Sequence, residues 1–239
     1  MREESLGGLK TRLTGGTDGK GGGNGPVVIL LHGFGAPGDD LVPLADWIAA
    51  PEGTRFLFPE GPLALNMGVG ESRAWWIIDM ARLEADRLAG RVRDLSAEVP
   101  RGLPQAREAI EKFLQHLPRA LPVDFTKTVI GGFSQGAMLT CDLVMRTALP
   151  CAGLVQLSSS LLAKQDWRPA VAERTGLPVF QSHGTQDLIL PYMMAERLRD
   201  ELGRAGLSIE WHSFRGGHEI PEIVLRQLGL FLAKVLTKL

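Results

Sequence analysis

Residues 128–141 read Thr-Val-Ile-Gly-Gly-Phe-Ser-Gln-Gly-Ala-Met-Leu-Thr-Cys. The β-branched run Thr128-Val129-Ile130 is strand-like, and Ala137 to Cys141 is helix-like. Between them lies Gly132-Phe133-Ser134-Gln135-Gly136, a Gly-x-Ser-x-Gly motif. On its own the five-residue pattern is a weak signal and fits an ordinary glycine-rich connection. Placed between a strand and a helix it says more: glycines on both sides let the backbone take strained angles and close contacts, so Ser134 is presented near a helix N-terminus. A serine held this way is available to attack a carbonyl.

Outward from this turn, short apolar runs alternate with amphipathic segments. Val27 to Leu31, Arg55 to Phe58, Thr126 to Ile130, Gly153 to Leu157, Pro178 to Gln181 and Ser208 to Ser213 read as strands. Leu41 to Ile48, Gln105 to Leu117, Gln135 to Thr147, Met194 to Ala205 and Ile220 to Leu236 read as helices. Strands apolar on both faces that alternate with helices belong to a mostly parallel sheet covered on both sides, so the fold class is α/β in one domain spanning residues 26–239. Before it, residues 1–25 hold a half-exposed strand over Leu9 to Thr14 and a glycine-rich loop. The stretch near residues 66–101, through Arg73-Ala74-Trp75-Trp76 and a charged run from Ala81 to Pro100, breaks the alternation. It reads as an excursion over the active site with a short amphipathic helix, where ligands are usually enclosed.

Composition narrows the function classes. The 26 Lys plus Arg against 27 Asp plus Glu leave a net charge of −1 with no block of one sign. That charge pattern argues against nucleic acid or anionic membrane as partner. Two cysteines, Cys141 and Cys151, are too few for a disulfide framework and suggest no zinc site. No run is long and apolar enough for stable membrane insertion, and the expected location is cytoplasmic. The 29 glycines in 239 residues are about 12% of the chain against a typical ~7%. Seven of them lie between Gly15 and Gly25. They lack the Gly-Lys-Ser/Thr ending of a phosphate-binding loop and read as a flexible hairpin connection.

A serine hydroxyl is a poor nucleophile until a base takes its proton, so the motif calls for a histidine and an acid that orients it. Of the five histidines, His218 in Gly216-Gly217-His218-Glu219-Ile220-Pro221 follows a strand and precedes the last helix. It therefore lies on the sheet edge that carries Ser134. Asp187, in His183-Gly184-Thr185-Gln186-Asp187, also follows a strand, with Asp166 and Glu219 as competitors for the acid. The chain order Ser134, Asp187, His218 is that of an α/β-hydrolase sheet. Two backbone N–H groups are needed for the developing oxyanion. Gln135 supplies one, and Phe34 in Leu31-His32-Gly33-Phe34-Gly35 is the candidate for the other. His32 and His183 read as side chains that brace their turns.

Together, Leu31 to Gly35, Gly132 to Gly136, His183 to Asp187 and Gly217 to Pro221 resemble the phospholipase/carboxylesterase family of α/β-hydrolases, which includes acyl-protein thioesterases and bacterial carboxylesterases. The resemblance implies an α/β-hydrolase fold and a serine hydrolase of carboxylic esters, of short to medium acyl chain, without cofactor or metal. It implies Ser134, Asp187 and His218 as triad, and Phe34 and Gln135 as oxyanion donors. Trp75 and Trp76 look like an aromatic pair bordering the acyl groove, and Ile189 falls at a groove-lining position. Ser160 stands where the eukaryotic thioesterases carry a bulky aromatic, which implies a more open wall. The expected partner is a small ester or thioester; a homodimer is left open. The alternatives are an acyl-thioesterase or lysophospholipase on the same site, a peptidase, and a non-catalytic binding module.

Overall fold

Strand β4 (Val27–Leu31) is buried at every residue. Its side chains alternate between two apolar clusters: Val27, Ile29 and Leu31 face one, Val28 and Leu30 the other. A strand apolar on both faces must sit inside a sheet covered on both sides. The same division runs through the neighbours β5 (Arg55–Pro59), β8 (Thr128–Phe133) and β9 (Gly153–Leu157). The computed structural model describes residues 1–237 except 69, 92–93 and 168–173, and omits the side chain of residue 87.

The remaining strands of the main sheet are β1 (Arg2–Leu6), β2 (Leu9–Gly16), β3 (Lys20–Gly22), β10 (Pro178–Gly184) and β11 (Ser208–Phe214). Their order is β1-β2-β5-β4-β8-β9-β10-β11, with β3 on β2. From β5 to β11 all pairings are parallel, whereas β2 runs antiparallel to β1 and β5. A separate hairpin, β6 (Leu63–Leu65) and β7 (Ser72–Ala74), stands off the sheet. Helix α1 (Met80–Leu88) follows it. Helices α2 (Leu103–Ala120), α3 (Gln135–Arg146) and α4 (Tyr192–Arg204) supply one cluster, and α5 (Glu222–Leu236) the other. Leu103, Ala106, Ile110, Phe113, Leu114 and Leu117 form the buried stripe of α2 at helical spacing.

The architecture is the α/β-hydrolase type expected, with local departures. The helix expected over Leu41 to Ile48 is a 3-10 turn, Val42–Asp46, with no buried residue of its own. Pro43 near its start and Pro51 shortly after leave no room for a longer helix. The N-terminal residues give an unexpected strand, β1, whose Arg2, Glu3, Glu4 and Ser5 carry no apolar alternation.

The glycine run is not the plain flexible connection expected. Gly15 and Gly16 complete β2, and the Gly16 N–H donates to Thr54 O at 2.8 Å. Asp18 Oδ1 accepts from the N–H groups of Lys20 and Gly22, each at 2.8 Å. A Cβ on Gly16 would lie 2.2 Å from Gly22 O, so glycine is required there for close approach. In the excursion, α1 is mostly exposed, with Leu83 half-buried. Within the charged run expected there, residues 92–93 and the side chain of residue 87 lie outside the described residues.

The turn from β8 to α3 is set by contact with β4. A Cβ on Gly136 would lie 2.1 Å from Leu31 O and 2.6 Å from His32 O. Gly136→Ala is therefore expected to lower stability by about 1–3 kcal/mol, the range for overpacking a core. The urea midpoint is the check, and an unchanged midpoint would contradict the packing described.

Candidate active site

Ser134 sits between β8 and α3 with φ 52 and ψ −117, a region that residues bearing a Cβ rarely enter. Its N–H donates to Leu157 O at 2.9 Å, tying the turn to the end of β9. The Met138 N–H returns to Ser134 O at 3.0 Å as the helix begins. The strain of such a conformation, about 1–3 kcal/mol, is sustained because both flanks are held.

Strands β10 and β11 are parallel and in register from Pro178 with Ser208 to Gly184 with Phe214. They end at the same height, so the loops that follow emerge side by side. The Thr185 N–H donates to Phe214 O at 2.8 Å and the Gln186 N–H to Gly216 O at 2.9 Å. Gly184 is required here, since a Cβ would lie 2.2 Å from Gly217 O. Asp187 and His218 meet as a result, with His218 Nδ1–H donating to Asp187 Oδ2 at 2.7 Å. The His218 ring packs on Phe133, the residue before Ser134, at 4.8 Å between centroids. Of the competing acids, Asp166 pairs with Arg146 at 2.6 Å, and Glu219 Oε1 accepts from the Gly217 N–H.

Asp187 is buried, and burial pushes its carboxyl up. Hydrogen bonds from His183 and His218, the His218 charge and the Leu190 N–H outweigh that and hold it well below the usual carboxylate range. The bonds are specific: Asp187 Oδ1 accepts the N–H groups of Ile189 and Leu190, each at 2.8 Å. His183 Nε2–H donates to Leu190 O at 2.8 Å and lies 3.2 Å from Asp187 Oδ2. His183 thus braces the turn, as its place in the motif suggested. Ile189 contributes its backbone to Asp187, while its side chain is exposed beside Leu188.

On the other side of Ser134, the loop after β4 brings up Phe34. Among the described residues neither the Phe34 N–H nor the Gln135 N–H donates to a backbone or side-chain acceptor. The adjoining Gly35 N–H, by contrast, donates to Arg73 O at 2.8 Å. His32 holds this loop from inside: the Gly61 N–H donates to His32 Nε2 at 2.9 Å, which leaves Nδ1–H to donate to Gly33 O at 2.8 Å. That pattern requires the neutral ring. Burial pushes its pKa below the ordinary 6.5 despite the opposing Gly33 bond and Glu60 charge.

Trp75 and Trp76 do not border an open groove with their rings. Both are buried, at 1% and 3% exposure, in the apolar cluster under the site. Trp75 Nε1–H donates to His32 O at 3.0 Å, and its ring packs on His32. Sequence reasoning missed what holds them: the buried Gln135 carboxamide accepts the Trp75 N–H and donates to Trp76 O, each at 2.9 Å. Ser160 is likewise buried, at 2% exposure. Exposed apolar side chains among the described residues here include Met67, beside Gly35, together with Leu188 and Ile189.

Residues 20–236 match the sequence profile of the phospholipase/carboxylesterase family. The chain belongs to that family. Acyl-protein thioesterase 1 of Mycosarcoma maydis is 28% identical over 230 residues, which cover 88% of this chain and 91% of that one. The protein of the same name from Kluyveromyces lactis is 27% identical over 223 residues, covering 88% and 92%. Among solved structures, that of esterase PE8 aligns with a TM-score of 0.77 at 26% identity, covering 95% of this chain and 99% of that one. A Bacillus cereus carboxylesterase aligns at 0.70 with 21% identity, covering 95% and 94%, a likeness of fold. The phospholipase/carboxylesterase family is thus a hydrolase family with both esterases and thioesterases among this chain's relatives. Among the described residues no cluster of three or more His, Cys, Asp or Glu is placed to hold a metal ion, and no helix is long and apolar enough to cross a membrane.

The neutral buried His32 has a consequence for stability. Below pH 6.5 the unfolded chain binds a proton that native His32 resists, so the unfolded state holds more protons. The stability tied to this group is full above that pH and declines as pH falls toward the lowered native value. Urea midpoints from pH 7 to pH 5 should fall further in the native protein than in His32→Gln, and equal falls would overturn the neutral assignment.

Proposed function

We propose that the protein is a serine carboxylesterase that cleaves small esters through an acyl-enzyme, with Ser134 as nucleophile, His218 as base and Asp187 as its orienting acid. The observation that carries this reading is the 2.7 Å hydrogen bond from His218 Nδ1 to Asp187, formed on the sheet edge where Ser134 occupies its strained turn. That bond leaves His218 Nε2 as the free base. Ser134 Oγ attacks the carbonyl carbon as His218 Nε2 takes its proton, and the carbonyl oxygen becomes negative opposite the Phe34 and Gln135 N–H groups. As the C–O bond breaks, the imidazolium returns the proton to the departing alcohol. Water then repeats the sequence on the acyl-enzyme, and Asp187 stays ionised throughout.

A second reading is supported by the curated relatives, several of which are acyl-protein thioesterases. A thioester presents the same carbonyl to the same groups, and only the leaving thiol differs. With Trp75 and Trp76 buried, Ile189 with the neighbouring Leu188 and Met67 are the exposed apolar groups for an acyl chain. Short to medium acyl chains are the proposed substrates, as the family resemblance implies.

Ser134→Ala is expected to lower p-nitrophenyl ester hydrolysis by about 10³-fold or more and to abolish fluorophosphonate labelling, with an unchanged melting curve. Activity within tenfold of the native protein would remove Ser134 from the mechanism. Across a matched series of p-nitrophenyl esters and acyl thioesters, kcat/KM should be highest for short to medium acyl esters. A maximum at long acyl thioesters would instead select the thioesterase reading.

Activity should fall on acidification along a limb of one proton, because His218 must be unprotonated while Asp187 is held ionised. A two-proton limb, or a profile flat to pH 4, would contradict these roles.

A further inference from the structure

The loop that carries Phe34 is held by a buried carboxylate outside the groups that touch substrate. Glu60, immediately after β5, is 4% exposed. Its two oxygens are each engaged by a guanidinium: Oε2 by Arg12 Nη1 at 2.8 Å and Oε1 by Arg73 Nη2 at 2.8 Å. Arg12 lies on β2, within the main sheet, and also meets Glu3 at 3.0 Å. Arg73 lies on β7, which stands off that sheet. The ion pairs therefore join a rigid element to a detached one.

The detached strand is what the loop leans on. The Gly35 N–H donates to Arg73 O at 2.8 Å, and the Arg73 N–H donates to Ala36 O at 3.0 Å. The loop also meets Glu60 directly, since a Cβ on Gly38 would lie 2.3 Å from the Glu60 carboxylate. Next in sequence, the Gly61 N–H donates to His32. Residues 60 and 61 thus meet the loop at its start and its end, and through Arg73 at its middle. With each oxygen engaged by a guanidinium, the buried carboxylate is fixed in place, because moving it would cost two charge-assisted hydrogen bonds.

We propose that Glu60 is a positioning residue for catalysis: through Arg73 it aligns the loop that presents the Phe34 N–H to the oxyanion. The proposal rests on the esterase reading above. A donor must lie about 2.7–3.1 Å from the oxyanion, and misplacement by about 1 Å costs on the order of 10²-fold. Loss of the ion pairs therefore acts on the transition state, where the oxygen is charged, and little on ground-state binding.

The test compares Glu60→Gln, Arg73→Gln and Arg73→Lys with the native protein by ester kinetics, by affinity for an alkyl boronic acid that forms a charged tetrahedral adduct on serine, and by amide exchange over residues 33–38. For the two Gln variants kcat should fall about 10–100-fold with KM within about threefold. Boronate affinity should fall in step, the pH profile should keep its shape, and the Gly35 amide should exchange faster. Arg73→Lys should recover part of the loss.

Native kcat in a Gln variant, a rise in KM alone, or unchanged exchange over the loop would overturn the proposal. If Glu60→Gln does not fold, Arg73→Gln decides, because the Arg73 side chain is partly exposed and the Arg12 arm remains. If the native protein hydrolyses no ester, the esterase reading fails, and the exchange comparison still shows whether Glu60 holds the loop.

Discussion

Everything at the carboxyl edge of the sheet depends on how closely the backbone of the 132–136 turn approaches β4. A Cβ on Gly132 would stand 2.5 Å from Leu31 O, and one on Gly136 would stand 2.1 Å from the same atom. Only with both side chains missing can α3 begin directly after β8 and run back along the sheet. That reversal drives Ser134 into its positive φ and leaves the Gln135 N–H at the open end of a helix. The rest of α3 is buried from Gln135 to Met145. A loosened turn would therefore disturb the core as well as the serine.

Burial on this scale forces a settlement for every polar group drawn in, and three carboxylates settle differently. Asp142, 1% exposed on α3, is flanked by Arg107 at 2.6 Å and Arg146 at 2.5 Å and fastens α3 to α2. Glu60 is shared by two guanidiniums and fastens β7 to the sheet. Among the described residues Asp187 has no Arg or Lys contact; it is held by two backbone N–H groups and two imidazoles. A fixed guanidinium would satisfy Asp187 permanently, whereas an imidazole can gain and lose a proton beside it. The difference in partner type separates fastening carboxylates from one suited to a reaction.

The strands Val27–Leu31 and Gly153–Leu157 were legible to the residue, because short apolar runs bounded by Gly and Pro have few alternatives. The helix expected over Leu41 to Ile48 failed because its spacing matched a helical face while Pro43 and Pro51 shortened it. β1 left no trace, since its edge position leaves charged residues facing solvent, and its backbone pairing and ion pairs with β2 have no local pattern to announce them. Glu60 lies in Pro59-Glu60-Gly61-Pro62, a stretch with nothing local to mark it as buried. Trp75 and Trp76 were expected to border a groove, whereas both rings are buried in the core and Trp75 packs on His32.

Local patterning was thus enough for the sheet's central strands, the class of fold and the turns that would meet at one edge, because periodicity and glycine placement act over a few residues. Chain order and loop position pointed to Ser134 and His218, and favoured Asp187 with Asp166 and Glu219 as competing acids. Tertiary structure decided what lies between those turns: the register that ends β10 and β11 together, the choice of Asp187 over Asp166 as the neighbour of His218, and the Arg12–Glu60–Arg73 bridge under the loop that carries Phe34. Such contacts join residues up to 48 positions apart, as Arg12 and Glu60 are, and the desolvation that makes them strong exists only once the chain has closed around them.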